Sequence, residues 1–166
     1  LERLETQSRL ERSEALLRET ERLAKIGSWE ANLETEPAAV NWSAETYRIL
    51  ELDGAETEPS FEAFLAVVDP DERDAVREAY ETSVAEGGEF ERVSLLCPVS
   101  GRTKHVRIAC VTRYSAAGEP LRSVGTIQDM TRITTLERDL VERTEALESS
   151  LTATAIAEPD GTVTYV

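Results

Sequence analysis

The sequence predicts an α+β protein in which two strands, three short helices and three further antiparallel strands lie between two long polar helices. Three observations predict it. Apolar and polar residues alternate on both sides of a proline-containing turn from Trp29 to Trp42. Three apolar helical stripes follow, each opened by a capping residue and closed by a breaker. Three strand-like segments joined by glycine turns then complete the pattern.

The first helix spans residues 1 to about 24, which contain no Gly, Pro or aromatic residue. Glu5–Arg9 and Glu14–Arg18 are i,i+4 pairs in the favourable order. Leu10–Leu17 and Leu16–Leu23 are seven apart, but Ser13 and Thr20 interrupt a strict seam, so the helix needs a partner along one stripe.

Trp29, Ala31 and Leu33 then alternate with polar neighbours, Glu34-Thr35-Glu36-Pro37 turns, and Ala38, Val40 and Trp42 alternate again. Ser43 is placed to cap a helix through Leu50, with Tyr47 and Leu50 inward and Asp53-Gly54 as its breaker. Ser60 caps a second, in which Phe61, Phe64, Leu65 and Val68 recur at helical spacing. Asp69-Pro70-Asp71-Glu72 reads as an N-cap, a proline at the first helical position and two acids on the dipole. Val76, Ala79, Tyr80 and Val84 form that helix's inner face, and Gly87-Gly88 ends it.

Strands are expected over residues 89–98, 103–114 and 121–128. A hairpin centred on Ser100-Gly101 sets His105 opposite Leu96 on an outer face with Arg107, Ser94 and Arg92. Val93, Leu95, Cys97, Val106, Ile108 and Cys110 then form the inner face, and both cysteines are expected as buried, reduced thiols several residues out of register. The last helix runs from after Asp129 to about Ser150, with Ile133, Leu140 and Leu147 seven apart and Leu136 between them.

The 33 Asp+Glu against 18 Lys+Arg give a net charge of −15, which argues against nucleic-acid binding and against an anionic membrane surface. Only Lys25 and Lys104 are lysines. That balance fits either a halophilic, salt-adapted surface or a GC-rich genome with solvated helix faces. The absence of a leader-like segment and of an apolar run near ~18 residues gives the expectation of a cytoplasmic location. A start at Leu1, with Met130 as the sole methionine, gives the expectation of a piece of a longer protein.

Ile26-Gly27-Ser28-Trp29-Glu30, Trp42-Ser43 before Tyr47-Arg48-Ile49-Leu50, Asp69-Pro70-Asp71-Glu72-Arg73, Gly101, and Gly125 followed by Asp129-Met130-Thr131 occur in an order and spacing that resembles a PAS domain. The resemblance implies a five-stranded antiparallel sheet with its helices on one face and a pocket between them. It divides the chain into an N-terminal signalling helix (1–25), a PAS domain (26–131), a C-terminal linker helix (132–151) and the truncated start of a second PAS domain (152–166). The last rests on a strand-turn-strand reading of residues 155–166, which an ordinary trailing segment would also satisfy.

What the resemblance implies about function is a sensory module that homodimerises through its flanking helices and relays a small-ligand, redox or partner signal. Its output domain would lie in cis, a histidine kinase first among the kinds the family feeds. The alternatives are a ligand-free dimerisation scaffold or part of a transcription regulator. No nucleophile–base–orienter set is visible, so catalysis is not expected.

Tyr47, Phe64, Tyr80, Ile108 and Ile127 are the candidate pocket residues, and a filled core would use the same ones. Which cofactor, if any, is unknown. Flavin photochemistry of the LOV type needs a helical-region cysteine, which residues 43–86 lack, and a Gln where Ile127 stands; Gln128 is one residue off and points the other way. Haem needs an axial ligand, and the single histidine, His105, is on a strand rather than in the helices. Neither thiol has the further ligands a metal needs. Asp129 and Thr131, at the junction of last strand and last helix, are the candidate relay residues, because their oxygens can accept from the first-turn N–H groups of that helix.

Overall fold

The computed structural model describes residues 2–152. The chain runs α1 (Glu2–Ala24), β1 (Ile26–Asn32), β2 (Ala39–Trp42), α2 (Ala44–Leu50), α3 (Phe61–Val67), α4 (Arg73–Glu86), β3 (Glu89–Leu96), β4 (Lys104–Tyr114), β5 (Pro120–Asp129) and α5 (Thr131–Thr152). The five strands form one antiparallel sheet in the order β2-β1-β5-β4-β3. α1 belongs to the same compact unit as the sheet and the short helices, and α5 opens a second unit. The expected tail hairpin, residues 155–166, lies outside the described residues. Among the described residues, no helix is long and apolar enough to cross a membrane.

The short helices begin where capping chemistry puts them. Ser43 Oγ accepts from the Thr46 N–H and Ser60 Oγ accepts from the Ala63 N–H, each satisfying an orphan donor. α2 ends at Leu50 as expected, but its stop is not Asp53-Gly54: the C-cap is Glu51, a non-glycine residue in the left-handed region (φ 56°). Lys104, reaching over from β4, donates to the Ile49 carbonyl at 2.8 Å and pairs with the Glu51 carboxylate at 2.9 Å, so a cation meets the negative end of the helix.

α4 also starts later than the sequence suggests. Asp69 and Pro70 precede it as a turn in which Asp69 Oδ1 accepts from the Asp71 N–H, and the helix begins only at Arg73. The reason is tertiary. Residues 67–69 are held along β3: Val68 bridges Leu96, Cys97 N–H donates to the Val67 carbonyl and Asp69 N–H to that of Leu95. Glu72 is committed too, since its carboxylate accepts from the Leu95 N–H. The Arg73 guanidinium donates back to the Ala66 and Val68 carbonyls at the end of α3. Gly87, at φ 80°, closes α4 as expected.

β3 departs from expectation by one residue. His105 pairs with Leu95 and Lys104 with Leu96, so residues 97–103 form a longer loop than a tight hairpin at Ser100-Gly101. A shift of one position exchanges every side chain between faces. Phe90, Ser94 and Leu96 are therefore buried, while Val93 is 58 % exposed. Cys97, expected in the core, is exposed, and its Sγ lies 3.5 Å from Asp69 Oδ2. The phase of β4 is as expected, with Val106, Ile108 and Cys110 inward. Together with Ile49, Leu50, Leu65, Val68, Val76 and Ile127 they form one apolar core between the sheet and α2–α4.

Two glycines are required by close approach. A Cβ on Gly27 would meet the Thr46 backbone at 2.6 Å, where α2 crosses β1. A Cβ on Gly125 would strike the Ala109 carbonyl and the Trp29 ring, the latter at 2.6 Å. Gly125→Ala is expected to cost about 1–3 kcal/mol through overpacking, read as a lower urea midpoint at unchanged m-value.

The Glu51 carboxylate is held below the usual carboxylate range by hydrogen bonds from Ser100 and Lys104. Its folded-state value lies under its unfolded one, so its contribution is complete above the unfolded value and disappears as pH falls through the folded one. Glu51→Gln should therefore be less stable than the parent near neutrality, with the difference between the two chemical-unfolding curves closing as the pH is taken down through the carboxylate range.

Candidate functional site

Between the sheet and the short helices lies a cavity of about 60 Å³. β1 and β2 contribute Trp29, Ala31, Val40 and Trp42, and β3–β5 contribute Phe90, Ile108 and Ile127. The helices supply Thr46 and Leu50 from α2, Phe61 and Phe64 from α3 with its cap Ser60, and Val76 and Tyr80 from α4. The strand residues reach it because one face of each strand points inward at every second position. Thr46 and Leu50 reach it together because they are one helical turn apart.

Six of the lining residues are aromatic, and Tyr80 is central among them. Its ring centroid is 4.9 Å from Phe61, 6.1 Å from Phe90 and 6.2 Å from Trp29, the last two contacts edge-on. Burial pushes the Tyr80 hydroxyl above its ordinary pKa, opposed by a hydrogen bond with Ser123. Ser123 shares a 2.8 Å bond with Thr112, so a small polar pair is satisfied inside the sheet face. Trp29 lies across Gly125, the paired residue on β5, and needs the missing side chain there.

Phe64, Tyr80, Ile108 and Ile127 are thus brought together around one space. Tyr47 is not among them. Its ring packs edge-on against Trp42 at 5.2 Å and its hydroxyl reaches the Thr57 carbonyl at 3.4 Å, because it sits on the α2 face adjacent to the one carrying Thr46 and Leu50. Trp29, Trp42, Phe61 and Phe90 complete the aromatic wall without having been singled out. The alternation in the first hairpin placed both tryptophans in its apolar positions without assigning them a face, whereas Phe90 was hidden by the slip in β3.

Asp129 and Thr131 lie at the junction rather than at the cavity. Asp129 is the last residue of β5, opposite Val106, and Thr131 is the first of α5. The Asp129 N–H donates to the Lys25 carbonyl at 3.0 Å, and the Met130 N–H to the His105 carbonyl at 2.8 Å. His105 itself is on the outer sheet face with Arg107. Ile127 faces the cavity, and Gln128 takes the opposite face. Among the described residues, no cluster of three or more His, Cys, Asp or Glu is placed to hold a metal.

A family profile described as the PAS fold matches residues 39–127, more than half of the chain. The chain belongs to the PAS family. Solved structures agree on the fold. A sensory box histidine kinase/response regulator from Burkholderia thailandensis superposes at TM-score 0.61 with 23 % identity, over 80 % of this chain and 98 % of that one. The N-terminal domain of a diguanylate cyclase with a PAS/PAC sensor from Marinobacter aquaeolei gives 0.58 and 15 %, over 66 % and 98 %. A domain from Haloarcula marismortui, of a histidine kinase described as light and redox sensing, gives 0.56 and 18 %, over 70 % and 99 %. At these identities the likeness is one of fold. No curated protein matches the sequence.

The two thiols of this PAS domain differ in setting. Cys110 is buried in the core, which pushes its pKa up to about 11 and keeps it protonated. Cys97 is also raised, by partial desolvation and by the neighbouring Asp69 carboxylate, but it is open to solvent. An aromatic disulfide reagent at mildly alkaline pH should titrate one thiol per folded chain, lost in Cys97→Ser, and the second only after denaturation.

Proposed function

We propose that this PAS domain is a sensory module that dimerises through its flanking helices and relays the state of its cavity to an output domain beyond residues 1–166. A histidine kinase is the favoured output, as in the Burkholderia and Haloarcula proteins that share the fold. The observation that carries this reading is the placement of Ile127 and Asp129 on one strand. The first lines the cavity, and the second, two residues later, is hydrogen-bonded to Lys25 where the chain enters the sheet. Movement of β5 by an occupant of the cavity would reach the strand's end within two residues and pass to the start of α5. Asp129 and Thr131 are the relay residues, with oxygens suited to the first-turn N–H groups of that helix. Phe64, Tyr80, Ile108 and Ile127 are the ligand contacts, and Tyr47 supports Trp42 from behind. The polar groups of the lining are the hydroxyls of Thr46, Ser60 and Tyr80 and the indole N–H groups of Trp29 and Trp42, with no carboxylate or imidazole among them, which supports a role in sensing rather than catalysis.

Each flanking helix supports dimerisation on its own account. α1 exposes Leu10, Leu16, Leu17 and Leu23, and α5 exposes Ile133, Leu136, Leu140 and Leu147, each more than 40 % accessible. A second copy of the chain would cover such interrupted seams, and weak seams allow two packings of similar energy. A ligand-free dimerisation module is the competing reading, favoured by the small cavity volume.

Light scattering should give a dimer for the 166-residue chain, and Leu140→Glu with Leu147→Glu should weaken that dimer at unchanged circular dichroism. A parent chain that stays monomeric at high concentration and high salt removes the dimer. In the intact parent protein, Asp129→Ala should uncouple output from input while the fold persists; unchanged signalling removes the relay.

A further inference from the structure

We infer that the cavity of this PAS domain takes an uncharged, predominantly apolar molecule of up to single-ring size, an inference that rests on the sensory reading above. The lining contains no Lys, Arg, His, Asp or Glu. An acidic ligand would therefore enter without a cation to pair with, and a basic one without a carboxylate. Burying an unpaired charge is far costlier than burying a hydrocarbon surface, so the walls select against both. A cavity of about 60 Å³ holds a few small groups as it stands. Trp42, Phe61 and Phe64, all half-buried, are the walls that can yield to admit a ring.

The hydroxyls refine the class. Thr46 Oγ1 already donates to the Ser28 carbonyl at 2.8 Å. Ser60 Oγ accepts from the Ala63 N–H at 3.0 Å, so its own proton can be directed to a ligand oxygen. Tyr80 is engaged with Ser123. With the Ser60 proton and the indole N–H groups of Trp29 and Trp42 as donors, the walls best suit an otherwise apolar ligand that carries an acceptor.

Trp29 and Trp42 are the chain's only tryptophans and both line the cavity, so intrinsic emission reports on these walls. Toluene and benzyl alcohol, titrated into the purified 166-residue chain, should each shift that emission saturably at one molecule per chain. Benzoate and phenyltrimethylammonium should bind at least about tenfold more weakly. Ser60→Ala should weaken benzyl alcohol about two- to tenfold and leave toluene unchanged. Ala31→Leu, or Val40→Phe at the half-buried edge should the first not fold, fills the space and should abolish the shift.

Either charged probe matching toluene overturns the ligand class while leaving a small-molecule sensor standing. A shift that survives both filling variants places the probes elsewhere and overturns the assignment. Silence from all four probes also overturns it, while the relay is judged separately by Asp129→Ala.

Discussion

The pairing of β1 with β5 in the middle of the sheet is the constraint on which the remaining architecture depends. Seven residue pairs, from Ile26↔Gln128 to Asn32↔Arg122, place the first strand beside the last. β2 is then forced to one edge and β3 to the other. The chain between them must cross four strand spacings, about 19 Å at the usual separation. α2, α3 and α4 are that crossing. They cover one face because a single connection between opposite edges crosses on one side, and the cavity is the space left under it. The far end of the crossing is fastened to β3 at Val68–Leu96 and by Glu72, so the helical layer is tied to that strand by backbone hydrogen bonds as well as by packing.

The acidity of the chain follows the same division. Between residues 43 and 89 there are 14 acids and three bases, while residues 90–128 carry six bases and two acids. The negative charge therefore belongs to the crossing layer, whose outer surface faces water. Pairs such as Arg77–Glu62 and Arg107–Glu91 are exposed and contribute modestly. Charge keeps that layer hydrated; aromatic and aliphatic contacts underneath hold it down.

Local chemistry was legible in the sequence wherever it stayed local. Ser43, Ser60 and Gly87 bound their helices because capping and positive φ involve only a few neighbouring residues. What escaped involved partners distant in sequence. The Asp69-Pro70 segment looked like a helix start until β3 claimed its backbone, and Glu51 ends α2 with help from Lys104, 53 positions later. The phase of β3 hung on a loop length that Ser100-Gly101 alone does not set, and that one residue hid Phe90 and misplaced Cys97. For the candidate site, helical spacing put Phe64 and Tyr80 on the helix faces that line the cavity but could not tell which neighbouring face Tyr47 occupies. Thr112 and Ser123 gave no signal, since each is polar and becomes tolerable in the core only beside the other.

The bond between Lys25 and Asp129 has a consequence for how such a module fits into a longer polypeptide. Entry and exit are adjacent residues of neighbouring positions in the sheet, so everything between them is a closed excursion from the main path. Removing or duplicating that excursion changes the separation of the preceding and following sequence very little. A chain built this way can gain sensors in series, as beads added to a string, without redesign of the segments that join them.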